Sequence, residues 1–159
     1  KLLMNYLGLD CSSFAVHGVI IDESEKIVSM HKWGSKKKDF NARFPEFSVD
    51  FFDGMSKIKN IDKASIEAAI FIQNPNSTIA IAHVVGAVWL SLLKRGIQTT
   101  RIENTKWKKV ILGKGNASKI DIMNYAIDKW GNVFPEQDFA DASCIALWTN
   151  RNERRANKC

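Results

Sequence analysis

An apolar run that stops on a charge sets the first constraint on this chain. Leu3 to Leu9 leads into Asp10, and after the polar turn Cys11-Ser12-Ser13 a β-branched run follows from Phe14 to Ile21. Short runs of this kind, bounded by turn residues, read as paired strands rather than as helix. The turn Asp22-Glu23-Ser24-Glu25 then closes a hairpin onto a third strand, Lys26 to Lys32, and Trp33 to Asp39 reads as a basic loop. Beyond it the period changes. Phe44, Phe47, Phe51, Phe52 and Met55 recur at helical spacing, which predicts a helix over about 44–59.

The apolar stretch Ala68 to Ile72 predicts a fourth strand, ending at Gln73. The turn Asn74-Pro75-Asn76-Ser77 follows, with Ser77 or Thr78 capping a helix that runs to Arg95 and stops at Gly96. This helix carries Ile79, Ile81, Val84, Val85, Val88, Trp89, Leu92 and Leu93 nearly all round, so it is fully buried or forms a subunit interface. A fifth strand is predicted over Gln98 to Glu103. A basic helix with Lys106, Lys108 and Lys109 leads to the loop Gly113-Lys114-Gly115. Helices are predicted over Ser118 to Trp130 and Asp138 to Asn150, before a basic tail. Three antiparallel strands followed by alternating helix and strand imply an α/β domain with a mixed central sheet.

At 159 residues the chain is the length of one domain, expected over 1–150 with a tail at 151–159. Its 23 Lys+Arg against 17 Asp+Glu leave a net charge of +6, which favours a polyanionic partner such as nucleic acid. The longest apolar run, Ile79 to Leu93, is interrupted by His83 and Ser91 and is too short for a bilayer. No membrane and no small-molecule cofactor are expected. Cys11, Cys144 and Cys159 have no metal-ligand spacing, which suits free thiols in a reducing, intracellular compartment of a bacterium or an infected host cell.

The candidate chemistry lies at element ends. Asp10 and Gln73 each close a predicted strand, at the sheet edge where catalytic groups of α/β proteins gather. Asp138 and Asp141 lie three apart at a helix start, so both project from one face. Carboxylates brought together this way repel one another, and hard divalent cations relieve the repulsion. Mg²⁺ prefers such oxygen ligands, and an ion pair can activate water against a phosphodiester.

Leu7-Gly8-Leu9-Asp10 followed by a hairpin resembles the first motif of RuvC-type Holliday junction resolvases. Lys108 to Lys119, with Gly113, Gly115 and Ala117, resembles their basic helix and glycine loop. Asp138-Phe139-Ala140-Asp141-Ala142 is similar to their closing motif. The resemblance implies an RNase H-like fold with a five-stranded mixed sheet flanked by helices, and a homodimer joined largely through the helix Thr78 to Arg95. It implies two Mg²⁺ ions, with Mn²⁺ able to substitute, and paired nicking of four-way DNA junctions. Asp10, Asp138 and Asp141 would be metal ligands, and Lys108 and Lys119 phosphate contacts near the site. Where the family has Glu after the fourth strand, Gln73 stands as a catalytic and metal position impaired by loss of charge, and the family's junction-gripping loop falls on Asn74 and Asn76. A cut-deficient binder of branched DNA and a fork or flap nuclease of the same superfamily are the alternatives. Lys36, Lys37 and Lys114 offer further phosphate contacts. His17, His31 and His83 are scattered and read as structural.

Overall fold

The paired strands read at the start of the sequence belong to a larger sheet in the computed structural model, which describes residues 3–68 and 74–157. The elements are β1 (Asn5–Cys11), β2 (Ala15–Asp22), β3 (Ile27–Gly34), α1 (Phe40–Lys57), β4 (Lys63–Glu67), α2 (Pro75–Lys94), β5 (Gln98–Ile102), α3 (Asn104–Leu112), α4 (Lys119–Trp130) and α5 (Gln137–Ala156). The strands form one mixed sheet in the order β3-β2-β1-β4-β5, with β1, β2 and β3 antiparallel and β1, β4 and β5 parallel.

Successive side chains alternate between two apolar layers. Leu7, Leu9, Val16, Ile20, Ala64 and Ile66 face α1 and α2, where Phe47, Phe51, Val84, Val88 and Leu92 cover them. Tyr6, Val19, Ile21 and Ile102 face the other way, onto α3, α4 and α5. The central helix α5 lies close against β1 because of Gly8. A Cβ there would stand 2.1 Å from the Ala142 carbonyl oxygen and 2.3 Å from the Ala146 nitrogen. Only a residue without a Cβ admits the α5 backbone at that depth.

Several element boundaries differ from the sequence expectation. β3 continues through Trp33, which packs edge-on against Phe51 with ring centroids 5.0 Å apart, so the basic loop begins later. α1 begins at Phe40, capped by the Asp39 side chain. α2 begins at Pro75, with Asn74 as its N-cap, so Asn74 to Ser77 open a helix rather than form a loop. α2 is also long and apolar enough to cross a membrane by length and composition, contrary to the reading above. One of its faces, Val84, Val85, Val88, Ser91 and Leu92, is buried against the domain. α5 runs without a break through Ala156, so the basic segment after Asn150 is helical. Its Arg151 pairs with Glu25, whose carboxyl would be raised by burial but is held at about 2 by hydrogen bonds from Arg151 and Lys129.

The main correction concerns β4. It spans Lys63–Glu67 and is fixed by a parallel ladder to β1 running from Tyr6↔Lys63 to Leu9↔Ile66, while the strand expected at Ala68 to Ile72 lies, beyond Ala68, outside the described residues. Its polar positions all have work on the α5 side: Lys63 pairs with Glu153, and Ser65 accepts a hydrogen bond from Thr149 at 2.7 Å. Gln73 lies outside the described residues, as do Lys158 and Cys159.

Candidate active site

The residue after Leu9 on β1 is Asp10, and the residue after its partner Ile66 on β4 is Glu67. Two carboxylates therefore stand side by side at the C-terminal ends of adjacent parallel strands, both on the α5 face. The same row continues outward, because Asp10 is in register with His17 on β2, and His17 with Lys32 on β3. The first turns of α5, set down on Gly8, bring Asp138 and Asp141 over this row. Carboxylate oxygens of Asp10, Asp138 and Asp141 all lie within 4.8 Å of one another.

The electrostatics follow from that crowding. Burial raises the Asp10 carboxyl well above its ordinary value, and the charges of Glu67, Asp141 and Asp138 raise it further against the pull of Lys119. Burial also raises Asp141, opposed by a hydrogen bond from Lys119. Lys119 opens α4, where Ser118 and Asp121 form a reciprocal cap. Its ammonium donates to Asp141 Oδ2 and lies 3.6 Å from Asp138 Oδ1. Burial would lower its pKa, but the Asp141 hydrogen bond and the carboxylates around it outweigh that and raise it. One ammonium cannot balance this many carboxylates. Asp141 is 3% exposed, and its Oδ1 has no hydrogen-bond partner among the described residues. A buried aspartate with an unpartnered oxygen, grouped with two other carboxylates, offers the kind of oxygen ligands a hard divalent cation takes.

Two flanking groups hold the edges of the cluster. Glu67 accepts hydrogen bonds from Trp107 and Asn104 of α3. His17 is buried, bonds through Nε2 to Glu136 at 2.9 Å, and presents Nδ1 to Asp138 at 3.7 Å. Glu136 also accepts from Lys32 at 2.7 Å, and the hydrogen bonds from Lys32 and His17 hold its carboxyl below the usual range. Glu136 stands at the N-cap of α5, yet its side chain caps nothing and fastens the helix start to β2 and β3 instead.

The structure thus brings together Asp10, Asp138, Asp141 and Lys119 as the sequence suggested. Gln73 lies outside the described residues, and the described fourth strand ends on a carboxylate, Glu67. Sequence reasoning missed Glu67 and His17. The signal for Glu67 was the strict polar-apolar alternation Lys63-Ala64-Ser65-Ile66-Glu67, outweighed by the more apolar residues after it. Nothing local marked His17; only its pairing with Asp10 does. Among the phosphate candidates, Lys36 is exposed, Lys37 pairs with Glu46 and Lys114 with Asp121. Lys108 lies over the Trp107 ring, and Asn74 and Asn76 are exposed at the start of α2. The buried Arg43 fastens the loop of Lys36 and Lys37, donating to the Lys37, Lys38 and Ser13 carbonyls.

A mixed five-stranded sheet flanked by helices, with carboxylates gathered at the ends of its central parallel strands, defines an RNase H-like fold. The family description "Crossover junction endodeoxyribonuclease RuvC" matches residues 7–149, and the chain belongs to that family. Its sequence is 29% identical over 157 residues to RuvC of Sphingopyxis alaskensis, covering 96% of this chain and 100% of that protein. It is 26% identical to RuvC of Ehrlichia chaffeensis, covering 88% and 89%. The structure of Thermus thermophilus RuvC in complex with a Holliday junction substrate superposes with a TM-score of 0.80 at 16% identity, over 96% of each chain.

Proposed function

We propose that this chain is an active endonuclease that resolves four-way DNA junctions by metal-dependent phosphodiester hydrolysis, with Asp10, Glu67, Asp138 and Asp141 holding the metal. The observation that carries the reading is the grouping of the Asp10, Asp138 and Asp141 carboxylates within 4.8 Å of one another, with a buried Asp141 oxygen unpartnered among the described residues and the Glu67 charge acting on Asp10. Two Mg²⁺ ions, replaceable by Mn²⁺, would supply an activated water and a charge to stabilise the leaving oxygen. Glu67 and Asp10, on adjacent strands, present one edge of the ligand set; Asp138 and Asp141, on α5, present the other. Lys119 neutralises part of the carboxylate charge and offers its ammonium to the scissile phosphate. Lys36, Lys37, Lys108 and Lys114 contact phosphates further out, where Lys pairing is independent of sequence. Asn74 and Asn76 contact the junction from the start of α2.

The same reading makes the protein a homodimer, since paired nicks need two sites. Ile79, Leu90 and Leu93 are each more than half exposed and follow one stripe of α2 with the exposed Gly86 between them. An apolar stripe of that period fits a second copy of the helix.

The test is cleavage of four-way, three-way and flap DNA of matched sequence with Mg²⁺ or Mn²⁺. Symmetrically paired nicks on the four-way junction are the expected result. Faster cutting of flaps or forks would replace the junction assignment, and tight binding with no cutting of any substrate would make the chain a branched-DNA binding protein.

A further inference from the structure

Glu67 differs from the other carboxylates of the cluster in being tied from behind. Its Oε2 accepts the Trp107 Nε1–H at 2.7 Å, and its Oε1 accepts from Asn104 Nδ2 at 3.1 Å. Both donors come from the first turn of α3. That helix begins just after β5, whose Ile102 is in register with Glu67. Trp107 is fully buried and packed in the layer beneath α5. A buried indole N–H needs an acceptor, and here the acceptor is a carboxylate beside Asp10. Hydrogen bonds to a charged acceptor are about twice as strong as neutral ones.

We propose that Trp107 and Asn104 are positioning residues for Glu67, which hold its carboxylate ready for the metal. This rests on the reading of Glu67 as a ligand. A carboxylate offers about four lone-pair positions over its two oxygens, and the two donors take one on each, leaving the others for a cation. A free Glu side chain loses rotamer entropy when it binds an ion. One already fixed by two donors has lost it on folding. Donors of this kind behind a ligand are generally worth about 10–100-fold in metal affinity or activity. Trp107 keeps the ligand in place while its own ring stays in the core, so the metal site and the α3–α5 packing are coupled through one side chain.

The experiment measures Mn²⁺ affinity of the full chain without DNA, by electron paramagnetic resonance, for the wild type, Trp107→Phe, Asn104→Ala, Glu67→Gln and the double variant Trp107→Phe/Glu67→Gln. Trp107→Phe keeps most of the ring volume and deletes the N–H. It is expected to weaken Mn²⁺ binding about 10-fold, with Asn104→Ala weaker by about 3-fold. The double variant should bind no worse than Glu67→Gln alone, because Trp107 acts only through Glu67. In ¹H–¹⁵N spectra the Trp107 indole resonance, identified by its loss in Trp107→Phe, should shift on adding Mg²⁺ and in Glu67→Gln. Four-way junction affinity without divalent metal should be unchanged in Trp107→Phe and in Asn104→Ala. If Glu67→Gln weakens Mn²⁺ binding while Trp107→Phe and Asn104→Ala do not, the positioning proposal is wrong and the ligand reading stands. If Glu67→Gln itself leaves the affinity unchanged, the ligand reading fails and takes the proposal with it. Should Trp107→Phe not fold, Asn104→Ala and the wild-type indole shift decide the matter in the same way.

Discussion

Burial among Glu67, Asp141 and Asp138 holds the Asp10 carboxyl well above its ordinary value of 3.8. A carboxyl raised on folding contributes stability that is fully present below the unfolded value and is lost as pH rises through the folded one. Above the unfolded value, Asp10 therefore costs the metal-free protein stability. Asp10→Asn has the same shape without the charge. It is expected to raise the melting temperature in chelator by about 2–4 °C, or about 1 kcal/mol, and to abolish cleavage. Calorimetry with and without Mg²⁺ checks this, since added Mg²⁺ should stabilise the wild type more than the variant. A lower melting temperature for Asp10→Asn would mean that the carboxylate is not under electrostatic strain. Glu67 and Gln73 make a second comparison. Removing the Glu67 charge is expected to lower the junction-cleavage rate about 100-fold or more, while Gln73→Glu should leave it within about 2-fold. A gain of activity in Gln73→Glu would return the missing carboxylate to that position.

At the level of elements, α5 carries two of the carboxylates and is placed by the absence of a side chain at Gly8. The atoms that a Gly8 Cβ would meet are backbone atoms of α5, which cannot swing aside as a side chain could. Gly8→Ala should push the helix off β1, at a cost of about 1–3 kcal/mol. Asp138 and Asp141 would move with it relative to Asp10 and Glu67, so the cleavage rate should fall more than stability alone accounts for. Urea unfolding together with cleavage assays well below the midpoint separates the two effects. A variant that folds with wild-type stability would show that α5 does not rest on Gly8.

For the whole molecule, α2 decides assembly. Its inner face is part of the core and its outer stripe of Ile79, Leu90 and Leu93 is open. Leu90→Glu leaves the inner face untouched and sets like charges against each other across a two-fold contact. The expected outcome is a monomer in sedimentation at micromolar concentration with an unchanged circular dichroism spectrum, and single rather than paired nicks on a four-way junction. A dimer that survives the substitution would place the interface elsewhere.

The order of strands and helices, the mixed sheet, and Asp10 with the Asp138 and Asp141 pair were legible from the residues, because each depends on local signals: period-2 and helical apolar patterns, turn residues, and the same-face spacing of positions three apart. The fourth strand was not. The stretch 63–67 alternates and 68–72 is more apolar, so local preference favoured the second and passed over the first. The choice was made by the register of the parallel ladder with β1, whose residues lie more than fifty positions away. Register decided that Glu67 stands beside Asp10. The same cross-strand pairing set His17 next to Asp10, and the packing of α3 put the Trp107 indole behind Glu67. Sequence fixes what each segment can be where the physics is local; which carboxylates share one site is a property of contacts between segments, and only the folded sheet contains it.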